Sequence, residues 1–210
     1  MSGPMFKPAT RQAVKLKLAV QGPSGSGKTL GALALAEGLA AGGKLAVIDT
    51  ENGSAALYAD RYAFDTVVMH APYTSAKYQA AIDAAAQAGY AVVVVDSISH
   101  QWAGDGGILS RKEADDQRPG SNSYTNWARY TKEHEAFKAF LLNAPIQREG
   151  MEYEFAVVFE LQMDHKASVS KDRTGLFDGT LSDLTNGEVP KSLTAWLTSA
   201  APGEPEKAPA

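Results

Sequence analysis

The chain has 210 residues, 44% of them hydrophobic and 21% charged, which suffices for one domain with a substantial core but not for two. Its formal charge of −4, from 20 Lys+Arg against 24 Asp+Glu, excludes a global pull towards nucleic acid or anionic membrane, so a polyanion site has to be a local basic patch. The absence of cysteine excludes disulfides and thiolate metal sites, and no apolar run approaches the ~20 residues of a membrane-spanning helix.

In chain order, residues 1–13 are polar and carry proline and glycine, and they read as a flexible arm. Their opening MSGPMFKPATRQ lacks the apolar stretch of a secretory signal, so a cytoplasmic protein without a membrane partner is expected. KLKLAVQG (residues 15–22) reads as a strand entering a tight turn. The next segment spaces Leu30, Leu33, Ala34 and Leu39 as a helix that stops at Gly42 and Gly43. KLAVIDT is a short buried strand and FDTVVMH (residues 64–70) a further one. Thr74 caps an alanine-rich helix ending at Gly89. YAVVVVDS is the most apolar run and predicts a central parallel strand covered on both faces. Residues 97–122 read as a long polar connection of the kind that is functional or mobile. Residues 124–142 are helical in pattern, and 151–171 alternate with period two, predicting a half-exposed antiparallel strand pair. The tail, residues 200–210 and ending APGEPEKAPA, has the composition of a disordered segment. Strands alternating with helices, followed by an antiparallel pair, predict an α/β fold: one domain over 14–199 with a mostly parallel central sheet flanked by helices.

GPSGSGKT, residues 22–29, matches the phosphate-loop pattern G-x-x-x-x-G-K-[ST]. Its glycines let backbone N–H groups turn inwards to phosphate oxygens, and the helix that follows offers its N-terminus to the same charge. The predicted ATP contacts are Gly22, Pro23, Ser24, Gly25, Ser26, Gly27, Lys28, Thr29 and Leu30. Lys28 reaches the β- and γ-phosphates, and the Thr29 hydroxyl ligates Mg²⁺. Asp96, closing VVVVDS, stands where ligands bind in open α/β sheets and joins Thr29 at the metal. Glu51, in DTE at the end of the next strand over, is placed to polarise an attacking water. Its plainer alternative is an acid in the first turn of a helix.

GPSGSGKT, VIDTENGSAALYAD and VVVDS together resemble the core of RecA-type recombination ATPases. The similarity is greatest to the small phage-encoded RecA-like proteins of the Sak-type single-strand-annealing group and the related phage nucleotide-binding proteins. GMEYEF and MDHKASVSKDRTGLF are similar to the C-terminal half of that group, and the resemblance spans roughly residues 15–180. It implies a RecA-like P-loop core in which Glu51 is the catalytic base. It further implies that Lys171 and Arg173, in K-D-R-T-G, reach a neighbouring subunit's ATP and stabilise charge on its γ-phosphate. A solvated basic turn at a hairpin end is the alternative for that pair. The protein implied is a homo-oligomer with ATP sites at its interfaces, binding single-stranded DNA in a phage-infected bacterial cytoplasm.

The chain departs from the family at one place. A RecA-like core has a further parallel strand after the helix that ends here near Leu142, yet FLLNAP runs directly into IQREGMEYEF. Losing a central strand would leave a hole in the sheet, so a segment omitted near 142–150, with a break in the backbone, is expected there. For nucleic acid, Arg111, Lys112, Arg118 and Arg129 are interleaved with Tyr124, Trp127 and Tyr130, as single-strand binders require. Glu113, Asp115 and Asp116 dilute that charge, and Trp127 and Tyr130 have the spacing of a helical core face. The four histidines (His70, His100, His134 and His165) lack metal-ligand spacing, although His100 follows Asp96 closely enough to touch the nucleotide pocket. Two other functions remain compatible with these motifs: an ATP-gated replication or packaging scaffold, and a P-loop phosphotransferase.

Overall fold

The computed structural model describes residues 16–143 and 155–199. Among the described residues, six strands and six α-helices follow in order, with a short 3-10 helix (Ser54–Tyr58) between the second and third strands. They are β1 (Leu18–Gln21), α1 (Lys28–Ala40), β2 (Leu45–Asp49), β3 (Asp65–Val68), α2 (Ser75–Gln87), β4 (Val92–Asp96), α3 (Ser99–Ala103), α4 (Ile108–Asp116), α5 (Ser123–Asn143), β5 (Val157–Leu161), β6 (Ala167–Asp172) and α6 (Glu188–Thr198). The fold is mixed α/β, with parallel strands flanked by helices, as a P-loop NTPase core requires.

The strands form two groups of three, ordered β3-β2-β4 and β1-β5-β6. All pairings are parallel except β5 with β6, which are antiparallel with a register shift between Val158 and Phe159. β2 is buried along its whole length and feeds both faces of its group. Leu45 and Val47 pack with Leu33 and Ala36 of α1, whereas Ile48 packs with Tyr78 and Ile82 of α2 and Phe137 of α5. This is the period-two division of a strand between two helical layers. The other group packs Val157, Phe159 and Leu161 against Leu35 of α1, Leu193 of α6 and the loop residues Phe177 and Leu184.

Helix α1 therefore faces both groups, and this explains its sequence. Gly31, Leu33, Leu35, Ala36 and Ala40 are buried on more than one side, a wider surface than the predicted stripe, of which Leu30, Ala34 and Leu39 are only half-buried. The helix ends as expected, with one difference: Ala41 itself adopts a left-handed conformation (φ 49°) ahead of Gly42. Thr74 caps α2 by accepting the Lys77 N–H.

Three expectations need correction. Residues 97–122 are not a structureless connection, because α3 and α4 lie within them; Ile108, fully buried, anchors α4 despite the polar residues around it. β4 is not the covered centre of a sheet. Among the described residues it pairs only with β2, and Val92 to Val95 stay partly exposed because no described strand lies on its other side. β5 is more buried than an alternating strand should be, since it lies between β1 and β6 and buries Val158 as well as Val157 and Phe159. The expected break near 142–150 and the start of the strand at 151 lie outside the described residues, as do the arm and the tail.

Gly22, where β1 turns into the phosphate loop, has φ 154°, and a Cβ there would stand 2.4 Å from the Leu161 carbonyl oxygen. That approach is backbone against backbone, so no side chain can yield. Gly22→Ala should cost about 1–3 kcal/mol of folding stability, read as a lower midpoint in chemical denaturation.

Candidate active site

The ends of β1, β2 and β4 lie along one edge. β2 and β4 run in register, with Asp49 opposite Asp96, and the Thr50 N–H donates to the Asp96 carbonyl at 2.7 Å. The phosphate loop rises from the end of β1 and feeds α1. Gly25 and Gly27 take left-handed φ values of 82° and 87°, the conformation that turns successive N–H groups to one side. Lys28 Nζ donates across the loop to the Pro23 carbonyl at 2.8 Å. Ser26 is fully buried and its hydroxyl has no hydrogen-bond partner among the described residues, a polar atom left for a ligand inside the loop.

Thr29 and Asp96, predicted to share a cation, meet directly: Thr29 Oγ1 donates to Asp96 Oδ2 at 2.5 Å. Two hard oxygen ligands converging at a phosphate loop suit Mg²⁺. Glu51 lies two residues beyond Asp49 at this edge, and its position is built by residues that sequence reasoning passed over. The Asp49 carboxylate, 1% exposed, accepts N–H groups from Glu51 (2.7 Å), Gly53 (3.2 Å) and Ala55 (2.8 Å). It thereby wraps the 50–55 loop around itself and holds the backbone of Glu51. Thr50 fixes the same loop to the next strand. Its hydroxyl accepts the Ser97 N–H at 2.8 Å and lies 3.0 Å from the Ser97 carbonyl and 2.8 Å from His100 Nδ1. Tyr73 stacks on His100 with ring centroids 4.9 Å apart and donates to the Thr50 carbonyl at 3.3 Å. Tyr78 donates to the Ser97 carbonyl, and burial pushes its phenol up to about 12, so it stays a donor at any working pH. His100 does reach this edge. The available signal for Asp49 was an Asp at a strand end shortly before the Asn52-Gly53 turn, a residue type whose side chain bonds nearby N–H groups.

Lys171 and Arg173 are not brought to this chain's phosphate loop. β6 starts opposite Leu161, level with the loop, and runs away from it: Lys171 is opposite Val158, and the Arg173 N–H bonds the Ala156 carbonyl. Ala156 is in turn bonded to Lys17, before β1, so Arg173 sits about five residues down the sheet from Gly22, roughly 16 Å, and two strands across. Lys171, level with Ala19, is about three residues down, roughly 10 Å, and likewise two strands across, so both separations exceed the reach of a side chain.

The cations after Asp96 are engaged within the chain. Arg111 forms a two-pronged pair with Glu133, at 2.9 and 2.5 Å, and Lys112 pairs with Asp116 at 2.5 Å. Arg118 (2.9 Å) and Arg129 both pair with Asp115. Tyr130 is buried and bonds Asp115, as a core residue should. Trp127 is 38% exposed, stacked on Trp102 at 6.3 Å beneath the Lys112 ammonium, and Tyr124 is 85% exposed.

Compared with known proteins, residues 14–190 match a family model described as an AAA domain. Neither the curated proteins nor the solved structures contain a match. Among the described residues, no helix is long and apolar enough to cross a membrane.

Two predictions follow from the side-chain geometry. Asp49→Ala strands three loop amides and should lower folding stability by about 2–4 kcal/mol, given the worth of hydrogen bonds to a charged acceptor. Asp49→Asn, which keeps one carbonyl acceptor, should fall between it and the parent in denaturant titration. The Asp116 carboxyl is held at about 2, below its ordinary 3.8, by the Asn126 amide and then by Lys112. A lowered folded value stabilises the α4–α5 contact fully above the ordinary range, and that stability is lost as pH falls from about 4 through about 2. Tryptophan fluorescence should report a transition in that window, and Asp116→Asn should diminish it, the remainder belonging to Asp115, whose carboxyl is also lowered, chiefly by the Tyr130 hydroxyl.

Proposed function

Because the chain belongs to the AAA domain family, we propose that this nucleotide-binding ATPase is a Mg²⁺-dependent ATP hydrolase of phage DNA recombination or repair. It acts as a homo-oligomer that binds single-stranded DNA and promotes annealing or strand exchange. The observation that carries the hydrolase is the Asp49-centred loop: a buried carboxylate and Thr50 hold Glu51 at the same edge as the Thr29–Asp96 pair. A loop backbone pinned by three amides to Asp49, and by Thr50 to a neighbouring strand, keeps the Glu51 Cα at this edge, which suits a general base, whose efficiency depends on position. ATP is held by the loop amides, Lys28 and the Ser26 hydroxyl. Mg²⁺, held by Thr29 and Asp96, supplies neutralising charge to the phosphate oxygens.

The recombination role draws on the resemblance to Sak-type proteins and on the position of Lys171 and Arg173. Too far to serve their own site, these cations suit a neighbour's γ-phosphate, where they couple turnover to assembly. For DNA, the exposed rings of Tyr124 and Trp127 offer stacking surface in the segment after Asp96. A second reading, an ATP-gated scaffold that does not anneal DNA itself, is favoured by the internal pairing of Arg111, Lys112, Arg118 and Arg129, which leaves less free positive charge for phosphates.

ATP hydrolysis measured with and without single-stranded DNA, across protein concentration, tests the proposal. The expected result is stimulation by DNA and a rate per subunit that rises with concentration. A DNA-indifferent rate that still rises with concentration would favour the scaffold, and a rate flat in both would remove the interface sites. Glu51→Gln should keep nucleotide binding while lowering turnover about 10²–10⁴-fold; unchanged turnover would remove Glu51 as the base.

A further inference from the structure

The turn between β5 and β6, residues 162–166, lies against the phosphate loop. His165 Nδ1 is 3.0 Å from the Ser26 carbonyl oxygen, and a Cβ placed on Gly27 would be 3.1 Å from the same nitrogen. A carbonyl only accepts, so Nδ1 carries the proton in this contact. His165 is itself in the left-handed region (φ 64°), a conformation uncommon for a side-chain-bearing residue, and the turn is closed by the His165 N–H donating to the Gln162 carbonyl at 3.0 Å. Sequence alone offered no route to this pairing, since the two partners are 139 residues apart.

The peptide bond gives the contact its consequence. In a trans, planar peptide the carbonyl oxygen of one residue and the N–H of the next point in opposite directions. A donor holding the Ser26 carbonyl to the outside of the loop therefore holds the Gly27 N–H to the inside. Gly27, free of a Cβ and at φ 87°, has little of its own to prevent that peptide from turning over. A turned peptide would present a carbonyl oxygen, rather than a donor, to an anion.

We propose that His165 is a positioning residue for the phosphate loop, orienting the Ser26–Gly27 peptide so that the Gly27 amide is available to the phosphates of ATP. The role rests on the nucleotide-binding function proposed above. It acts on binding: a donor that contacts phosphate equally in the bound and transition states changes KM and leaves kcat.

Two variants separate the imidazole from the backbone. His165→Gly suits the left-handed turn and removes the donor. His165→Asn also tolerates that turn and places an amide nitrogen at the same bond distance from the backbone as Nδ1. Equilibrium titration with Mg-ATP and steady-state ATP hydrolysis are measured for the parent chain and both variants. His165→Gly should weaken binding and raise KM about two- to tenfold, the weight of one net hydrogen bond, with kcat unchanged. His165→Asn should restore both to within about twofold. Parent-like binding by His165→Gly, an Asn variant as weak as Gly, or a loss confined to kcat would each overturn the inference. A parent chain that binds no Mg-ATP would overturn the nucleotide-binding role as well.

Discussion

Thr29 and Asp96 meet across the line where the strands divide, and the rest of the site depends on that meeting. Among the described residues, no ladder joins β1 to β4. The phosphate loop belongs to one group of strands, whereas the Asp96 and Glu51 edge belongs to the other. Among the described residues, α1, whose buried residues pack on both groups, and the 2.5 Å hydrogen bond from Thr29 to Asp96 hold these edges in relation. The arrangement links nucleotide to structure in a direct way, because a cation between those two oxygens would bind at the junction between the groups. A ligand that binds the folded state stabilises it by its own binding free energy, and here that energy would act where the backbone provides least.

Local chemistry accounts for what was legible beforehand. The phosphate loop, its helix, Asp96 and Glu51 could be placed because each follows from a short pattern next to a strand end, and the sheet edge then brings the strand ends together. The α2 cap at Thr74 and the β5–β6 hairpin were readable for the same reason. Burial was less legible. Four valines in a row signal a covered strand, yet β4 is less buried than β2, because burial depends on which strands stand beside it and not on its own residues. The polar run 97–122 concealed two helices, the second of which meets α5 through charge, Arg111 pairing with Glu133 and Asp115 with Arg129. A sequence displays the charges and hides the pairing. His165 was hidden for the same reason: its partner is a backbone carbonyl in a distant loop.

The helices after Asp96 illustrate how pairing changes meaning. As a string, Arg111, Lys112, Arg118 and Arg129 with Tyr124, Trp127 and Tyr130 resemble a single-strand groove. Folded, the cations pin α4 to α5 and to the turn between them, Tyr130 is core, and two rings remain at the surface. Asp115 is buried, and Arg118 and Arg129 converge on its carboxylate from the turn and from α5. The segment's cations are thus spent on the packing of α4, the turn and α5.

β6 differs in kind from its neighbours. A parallel strand has one end at the nucleotide edge and the other at the far side, and its successor must cross back over the sheet. An antiparallel strand begins where its predecessor ended, so β6 starts beside the phosphate loop and finishes at the opposite edge. One short element therefore carries His165 just before its start and Lys171 and Arg173 at its end. Within a single chain the two ends have nothing to exchange. In the proposed oligomer they touch successive ATP sites, and a strand, held by its ladder to β5, moves as a unit. Reversing β6 would exchange the two ends, putting Lys171 and Arg173 beside the phosphate loop and His165 at the far edge.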